Sequence, residues 1–358
     1  MQPDQNAFEQ FSCPLPLTHN ESIVIGHGSG GRMTHDLVKK VFYKHFSNPV
    51  LDAGNDFARV SSGQTSRGKG KIVLSTDCHI ISPLFFPGGD IGRLAVCGTV
   101  NDVAMSGAQP LYITAGFIIE EGFSIEMLEK VVSSMSGAAQ EANVLIVAGD
   151  TKVVEKGNAD SLFITTTGIG WLEHDLDIAG DRAAPGDVVL ISGTIGDHGV
   201  AVLTARNELG IETTVQSDVA PLNGMIDHLL QAAPHTHVLR DPTRGGLATT
   251  LNEIAAQSKV AIWIDEETVP ILPEVRSVCE LLGFDPLYMA NEGKLVAIVP
   301  PEEADNALNA MRQHPYGKMA MRIGAVQPTP QNRVMAHTTS GATRILDMLS
   351  GEMLPRIC

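Results

Sequence analysis

The sequence lacks the cysteine patterns that stabilise secreted domains or bind zinc. Its five cysteines are odd in number and include no CxxC pair, which argues against a disulfide framework and a zinc knuckle and favours a reducing compartment. Long apolar runs are also missing, since none approaches the roughly 18 residues that a membrane span requires. The first ten residues, MQPDQNAFEQ, have neither the basic start nor the apolar stretch of a secretion signal. We therefore expect a soluble, cytoplasmic protein.

Positive charge is scarce. Lys and Arg number 25 against 41 Asp and Glu, which gives a formal net charge of −16 at pH 7. Such a surface repels the phosphates of nucleic acid and of anionic membranes, so we expect neither as a partner. A phosphorylated substrate would need a local cation such as Mg²⁺ to offset this field.

Strand-like and helix-like patterns alternate along the chain and predict two domains. At 358 residues the chain is longer than one hydrophobic core comfortably serves. KIVLST (71–76), NVLIVAGD (143–150) and DVVLISG predict strands, the second of them ending in Gly-Asp. SIEMLEKVVSSMSGAAQEAN and GGLATTLNEIAAQS predict helices, so both halves contain the mixture typical of α/β or α+β domains. The character of the sequence changes at LEHDLDIAGDRAAPG, where we place the boundary. The predicted organisation is a flexible extension (1–20), an N-terminal domain (21–178), a C-terminal α/β domain (179–347) and a mobile tail (348–358).

The segment GHGSGG is the first candidate binding motif. Gly26, Gly28 and Gly31 have the G-x-G-x-x-G spacing of a dinucleotide-binding turn, and Asp52 follows at a distance suited to a ribose contact. The second strand of such a fold is poorly represented, because HFSNPVLD contains Asn-Pro and few apolar residues. A glycine-rich phosphate loop of another kind fits as well, since exposed amides at a helix start bind phosphate whatever nucleotide carries it.

Several acidic and amide side chains stand at the ends of predicted strands or in short polar breaks. Carboxylates reaching one crevice from strand ends would suit an Mg²⁺–nucleotide site, because Mg²⁺ prefers carboxylate, water and phosphate oxygens. Each of them alone also fits a turn or a helix cap. The set comprises Asp52, Asp56, Asp77, Asn101, Asp102, Asp150 and Asp241.

Two charged residues lie among small or apolar neighbours. Lys152, in GDTKVV, fits a counter-charge beside a nucleotide, and Glu292, in ANEGK, fits a general base. Both also fit solvated surface charges. Residues 54–71, rich in Gly, Ser and Lys, predict either disorder or a functional loop such as a lid.

The sequence resembles the HypE family of hydrogenase maturation factors. These carbamoyl dehydratases belong to the ATP-binding superfamily that includes aminoimidazole ribonucleotide synthetase and selenophosphate synthetase. The resemblance covers almost the whole chain and is highly specific. It is carried by HGSGG, STDCHIISPLFFPGGDIGRLAVCGTVNDVAMSGA, GDTKVV, SGTIGDHG, RDPTRGG, CELLGFDPL, ANEGKL and the terminal PRIC.

The resemblance implies a homodimer whose N-terminal strands pair across the interface, with ATP bound nearby. It implies that a partner carbamoyltransferase loads the thiol of the last residue, Cys358. The chain then dehydrates its own thiocarbamate to a thiocyanate, which supplies cyanide to an iron-carrying maturation complex. The implied catalytic residues are Cys358, Lys152 and Glu292; those at ATP are Gly28, Gly30, Gly31, Asp77, Asn101, Asp150 and Thr151; those at Mg²⁺ are Asp77, Asp102, Asp150 and Asp241.

Three rival interpretations remain. A small-molecule kinase or synthetase such as selenophosphate synthetase would carry a reactive Cys or selenocysteine before a glycine near its N-terminus, whereas Cys13 precedes Pro14 here. A dinucleotide oxidoreductase would bind NAD or flavin. A non-catalytic scaffold would use its tail only to dock partners, and ATP turnover that depends on carbamoylated Cys358 separates it from the enzyme.

Overall fold

A computed structural model of the protein describes residues 31–42, 51–55, 57–61, 70–173, 176–207, 209–349, 351, 354 and 356–357. Strands and helices alternate through this part of the chain, which confirms the predicted mixed α/β class. None of the described helices is both long and apolar enough to cross a membrane. The α-helices are α1 (Arg32–Leu37), α2 (Ile91–Ala104), α3 (Ile125–Glu141), α4 (Asp197–Ala205), α5 (Asn223–Ala232), α6 (Gly246–Ser258), α7 (Pro273–Leu282) and α8 (Ala304–Gln313).

The first sheet has five strands in the order β1-β2-β7-β5-β6. Neighbours pair antiparallel except β5 and β6, which are parallel. Helices α2 and α3 cover one face, and their buried residues pack against the strands. The strands are β1 (Ala58–Ser61), β2 (Lys71–His79), β5 (Gln109–Glu120), β6 (Leu145–Val154) and β7 (Leu162–Leu172), and a two-stranded ribbon is formed by β3 (Phe85–Phe86) and β4 (Gly89–Asp90).

Local sequence explains where the two covering helices begin. The Asp90 carboxylate accepts hydrogen bonds from the amides of Gly92 and Arg93 in the first turn of α2, and the Ser124 hydroxyl accepts one from the amide of Met127 in the first turn of α3. These caps satisfy donors that a helix start leaves unpaired. In α3, Val131, Met135 and Ala138 recur at helical spacing and are buried. Helix α2 is buried along nearly its whole length, because the sheet, α3 and, from the second half of the molecule, α5 pack around it.

The second sheet has seven strands in the order β14-β13-β10-β12-β8-β11-β9. The interior strands β8 and β11 are buried at every residue, as expected for strands covered on both faces. The break between the two sheets falls where the sequence changes character, after Leu172 and before Val188. The strands are β8 (Val188–Ile191), β9 (Val238–Arg240), β10 (Ala261–Asp265), β11 (Val296–Val299), β12 (Met321–Gln327), β13 (Arg333–His337) and β14 (Thr343–Leu346).

The two halves share a hydrophobic cluster and a buried amide. Val103 and Leu172 from the first half pack in one cluster with Leu190 and Leu222 from the second. Asn101, on α2, is 1% exposed. Its Nδ2 donates to the Ala220 carbonyl at 3.1 Å and the Glu292 carbonyl at 3.3 Å, while its Oδ1 accepts from the Leu222 amide at 2.7 Å. This one side chain therefore bridges α2 and two loops of the second half.

Three expectations about local structure are wrong. Residues 58–61 form strand β1 instead of continuing a loop through 54–71. The strand predicted to end at Thr76 continues to His79, and the one predicted to stop at Asp150 continues to Val154. Asp77 and Asp150 therefore lie within strands, where the alternation of side chains decides which face each one reaches.

Candidate functional site

Asp77 lies on the face of β2 that α2 covers. Val73, Ser75 and His79 share this face and are buried. The side chain of Asp77 is 29% exposed, and its Oδ2 lies 3.7 Å from His79 Nε2. A Cβ atom at Gly98 would lie 3.4 Å from Asp77 Oδ2. Helix α2 therefore passes directly over Asp77 while leaving the carboxylate partly open.

His79 lies in the buried interior behind Asp77. Its Nε2 lies 3.1 Å from Thr166 Oγ1, which also contacts Thr99 Oγ1 at 2.6 Å and donates to the Ala95 carbonyl at 3.1 Å. Burial lowers the pKa of His79, so the ring is neutral near pH 7. The positive charge that would otherwise sit behind Asp77 is absent.

Glu292 is the most buried of the predicted site carboxylates that the structure describes. It is 5% exposed, and its Oε1 has no hydrogen-bond partner among the described residues. Burial raises the pKa of Glu292 well above its usual range, and the negative charges of Asp77, Asp241 and Asp218 add to the shift. Asp77 and Asp241, two of the predicted metal ligands, are thus near enough for their charges to act on Glu292.

The loop that carries Glu292 is held by its neighbours. Asn291 Nδ2 donates to the Pro242 carbonyl at 2.8 Å, one residue after Asp241, and its Oδ1 accepts from the Gly196 amide at 2.8 Å. The Glu292 amide donates to Asp218 Oδ1 at 3.0 Å. Because these bonds use the backbone and the adjacent side chain, the Glu292 carboxyl remains available for a substrate.

Beside Glu292 lies a group of buried charges. Lys294 Nζ is 3.0 Å from Asp218 Oδ2 and 3.7 Å from Asp197 Oδ2. Burial raises the pKa of Asp197 to about 6, with a further contribution from Asp218. Burial acts in the same direction on Asp218, but Lys294, nearby His198 and the amide of Glu292 outweigh it and lower the Asp218 pKa. A cavity of about 450 Å³ opens next to this group.

The RDPTRGG motif, residues 240–246, forms another side of the crevice around Glu292. Asp241 follows the end of β9, and Gly245 and Gly246 begin α6 with φ of +78° and +62°. A Cβ atom at Gly246 would lie 2.6 Å from the Met289 carbonyl, so both the positive φ and the close approach require glycine. Arg244 lies close enough to lower the pKa of both His79 and Glu292 as a minor contribution. The turn thus brings one acid and one cation to the crevice.

Asp150, Thr151 and Lys152 lie on β6, away from Asp77 and Glu292. Register places Asp77, Thr166, Ala115 and Gly149 in one row across β2, β7, β5 and β6. Three strand spacings separate the ends of this row, about 14 Å. Asp150 pairs with Gly116, on the opposite face from buried Ala115. The structure therefore does not bring these residues together with Asp77 and Glu292 in one copy of the chain.

Asp150 and Lys152 pair with each other instead. Lys152 Nζ lies 2.8 Å from Asp150 Oδ2, and both side chains are more than two-thirds exposed, at 71% and 72%. The hydrogen bond from Lys152 lowers the pKa of Asp150. Every residue of β6 from Leu145 to Val153 is exposed, so this pair stands on an open strand at the edge of the sheet.

The remaining predicted site residues have structural contacts or lie outside the description. Asp102 Oδ2 accepts from Ser75 Oγ at 2.6 Å. Gly31 precedes α1, and a Cβ atom there would lie 2.3 Å from the Leu349 carbonyl. Gly28, Gly30, Asp56 and Cys358 fall outside the described residues, so their predicted roles stay predictions.

Sequence reasoning missed Asp197, His198, Asp218 and Lys294. His198 and Asp197 lie in SGTIGDHG and Lys294 in ANEGKL, two stretches that the resemblance already emphasised. Nothing distinguished Asp218, which lies in an apparently ordinary loop. Across the described residues, no group of three His, Cys, Asp or Glu side chains is arranged to hold a metal ion by itself.

Comparisons with known proteins identify the family of the chain. Residues 54–172 match the family described as AIR synthase related protein, N-terminal domain, and residues 184–337 match its C-terminal domain. The carbamoyl dehydratase HypE of Cupriavidus necator is 53% identical over 348 residues, which are 97% of this chain and 98% of that protein.

Two solved structures are similarly close. A HypE–HypF complex contains a chain with a TM-score of 0.82 and 51% identity, covering 87% of this chain and 99% of that one. HypE in complex with ATP gives a TM-score of 0.78 and 49% identity, covering 94% of this chain and 100% of that one. With both domains matched and close relatives over nearly its full length, the chain belongs to the HypE family of carbamoyl dehydratases, within the AIR synthase related proteins.

Proposed function

We propose that the protein uses ATP to dehydrate the S-carbamoylated thiol of its own Cys358 to a thiocyanate, for assembly of the nickel–iron hydrogenase centre. The observation that carries the mechanism is Glu292, a buried carboxyl with an unpartnered oxygen among the described residues, next to Asp77 and Asp241. The close relative named carbamoyl dehydratase and the ATP complex of a family member support the activity and the nucleotide.

The chemistry needs a leaving group and a proton acceptor. Oxygen leaves poorly from a primary amide, so transfer of the γ-phosphoryl group of ATP to the thiocarbamate oxygen first releases ADP. Loss of that oxygen as phosphate then forms the C≡N bond, and the two nitrogen protons depart over the two steps. Glu292, whose raised pKa makes it a stronger base than an ordinary glutamate, accepts a nitrogen proton.

Asp77 and Asp241 fit the binding of Mg²⁺ with the nucleotide. Mg²⁺ is commonly held by one or two carboxylates together with water and phosphate oxygens, so the absence of a preformed three-ligand group among the described residues suits an ion that arrives with ATP. The concentration of negative charge around Glu292 also favours a cation there. When bound, Mg²⁺ would neutralise charge on the phosphates. Asp150 is a weaker candidate in one chain, because it lies on the opposite face of the sheet from Asp77 and three strands away. Asp102 accepts a hydrogen bond from Ser75, and its role at Mg²⁺ stays a prediction.

A second copy of the chain completes the site in our proposal. Among the described strands, β6 pairs only with β5, and its Leu145 and Val153 are 65% and 68% exposed. On the uncovered face of the same sheet, Tyr112 and Ile118 are also exposed. An edge and face this apolar are covered in stable proteins. Pairing of these strands in a homodimer would bring Asp150, Thr151 and Lys152 of one copy towards the other.

Partners follow from the same chemistry. The solved HypE–HypF complex supports HypF as the carbamoyltransferase that loads Cys358, and the thiocyanate product requires an iron-carrying acceptor that takes up cyanide. We place these reactions in the cytoplasm, where a terminal thiol stays reduced.

The proposal is tested by phosphate release. Protein loaded by the carbamoyltransferase should release phosphate from ATP in a single turnover, whereas Cys358→Ser protein treated in the same way should not. Equal phosphate release from both would show ATP hydrolysis that does not depend on the carrier thiol and would contradict the proposal, and absence of release from either would support the scaffold.

A further inference from the structure

The last described residue is docked on the body of the protein. Ile357 is 5% exposed and packs in the cluster that contains Phe86 and Ile91. It forms an isolated antiparallel bridge with Ile81, two residues beyond the end of β2. Its carbonyl oxygen lies 2.6 Å from His198 Nε2. Ile357 is therefore held through its main chain as well as by burial of its apolar side chain.

The preceding residue is held in the same manner. The Arg356 carbonyl accepts from the Ser82 amide at 3.2 Å and from the Arg206 guanidinium at 2.9 Å. Arg206 also donates to the Ser82 carbonyl at 2.9 Å, so it bridges the tail and the loop after β2. The Arg356 side chain contacts Asp160 at 2.7 Å on the surface. Two successive tail carbonyls thus have dedicated donors.

His198 is built for a single hydrogen-bonding arrangement. It is fully buried, packs edge-on against Phe86 with ring centroids 5.4 Å apart, and has its Nδ1 2.8 Å from Ser217 Oγ. Burial lowers the pKa of His198, so the ring is neutral near pH 7. A carbonyl can only accept, so Nε2 carries the proton and Nδ1 accepts from the Ser217 hydroxyl. The tautomer is fixed by both contacts.

The same short segment supports the tail and the general base. Ser217 orients His198, and the next residue, Asp218, accepts from the amide of Glu292 at 3.0 Å. The position of Ile357 and that of Glu292 are therefore set from adjacent residues. Cys358 follows Ile357 directly, with consecutive Cα atoms about 3.8 Å apart.

We propose that His198 and Arg206 are positioning residues that hold the carbonyls of residues 357 and 356 and so set the place of the reacting thiol relative to Glu292. The inference rests on the proposed function of Cys358 as the carrier. The contacts of His198 and Arg206 with these carbonyls must also break, because the carbamoyltransferase must reach the thiol. Weakening these contacts should therefore speed reactions of Cys358 with external reagents and slow its dehydration.

The test compares His198→Phe with wild type in two assays. Alkylation of Cys358 is followed by mass on the peptide MLPRIC, released after the reaction by a glutamate-specific protease. We expect about tenfold faster alkylation, about tenfold slower dehydration in a single turnover, and ATP affinity within about twofold, as expected for loss of one buried hydrogen bond. His198→Gln, whose amide can donate to the same carbonyl, should recover most of both effects.

Controls distinguish the effect of the tail contacts from a loss of folding and from a failure of the proposed function. His228→Phe, on the exposed side of α5, should match wild type, and Arg206→Met carries the test if His198→Phe does not fold. Unchanged alkylation in both His198→Phe and Arg206→Met, or wild-type alkylation as fast as that of the free peptide, would overturn the proposal. If wild type is carbamoylated but never dehydrated, the proposed function fails, while the alkylation ratios still decide whether the hold exists.

Discussion

At the scale of single residues, Glu292 has the two properties that the proposed dehydration needs. Its carboxyl is buried against other acids, which strengthens it as a base, and one of its oxygens has no hydrogen-bond partner among the described residues. Nearby Lys294 compensates Asp218 and Asp197 rather than Glu292. Glu292, the carboxyl with the strongly raised pKa, is therefore not paired with Lys294.

Replacing this carboxyl should stop the chemistry without stopping binding. In Glu292→Gln we expect the single-turnover dehydration of carbamoylated Cys358 to fall by at least about 100-fold, the usual size of a general-base contribution. ATP affinity should change little. Glu280→Gln, an exposed glutamate on α7, is the matched control. A Glu292→Gln protein that keeps more than half of the wild-type rate would contradict the assigned role.

The raised pKa of Glu292 also predicts a pH profile. A base acts only when it is unprotonated, so the dehydration rate should fall as the pH drops through the pKa of Glu292. Because burial and neighbouring acids raise this pKa, the fall should occur above the ordinary glutamate range. Single-turnover rates measured from pH 5 to pH 8 check this. A rate that stays constant down to pH 5 would show that Glu292 is not the base.

Asp197 should make the stability of the protein depend on pH. Its folded pKa is raised from 3.8 to about 6, so its contribution to stability is present below pH 3.8 and is lost as the pH rises through about 6. The linked change is about 3 kcal/mol. The free energy of unfolding of Asp197→Asn minus that of wild type should therefore rise by this order between pH 4 and pH 7, measured by urea denaturation. A constant difference would contradict the assignment.

At the scale of elements, strand alternation decides which predicted site residues can act together. The sequence patterns located KIVLST and NVLIVAGD as strands but ended both too early. Asp77 and Asp150 then appeared to be strand-end ligands of one crevice. Because both strands continue, their residues alternate between faces, and Asp77 and Asp150 reach opposite sides of the sheet. Register across four strands is a tertiary property that a single-strand pattern does not contain.

On helix α2, a residue predicted to bind ATP has structural contacts in the fold. Asn101 was one of the acidic and amide candidates in short polar breaks, and the resemblance implied that it binds ATP. In the fold, its amide makes three hydrogen bonds to backbone groups of the second half. This occupation favours a structural role, since an amide that satisfies buried backbone groups is not available to a ligand without leaving them unpaired.

Asn101→Ala should therefore destabilise the protein. We expect a loss of about 2–4 kcal/mol in the free energy of unfolding, because three buried backbone groups lose their partner. Urea denaturation at pH 7 measures it, with Asn306→Ala on the exposed side of α8 as the matched control. A loss no larger than that of the control would show that the amide does not hold the two halves together.

At the scale of the whole molecule, the sequence predicted the two-part α/β organisation and the acid-rich crevice, because hydrophobic periodicity and short motifs carry that information. It did not predict that Asp218 and His198 support the crevice, because their roles arise from contacts between distant segments. Nor did it show that Lys152 and Glu292 belong to separate places in one chain. We retain 21–178 and 179–347 as the proposed domains.

Subunit mixing tests whether a second copy completes the site. The Lys152→Ala and Glu292→Gln variants are mixed in equal amounts. If Lys152 acts across the interface of a symmetric dimer, each mixed dimer contains one complete site, formed by Glu292 of one chain and Lys152 of the other. About a quarter of all sites should then be active. If Lys152 acts within its own chain, no mixture exceeds the activity of the separate variants. Dehydration measured after co-refolding distinguishes these results.

The most direct test of the central claim is the intact mass of the protein, with Cys358→Ala as control, after treatment with the carbamoyltransferase and its substrates and then with Mg²⁺ and ATP. We predict that Cys358 gains one carbamoyl group and then loses one water, and that the loss of water requires hydrolysable ATP. A carbamoylated chain that never loses water would show that it is only a carrier. A Cys358 that is never carbamoylated would contradict the account at its first step.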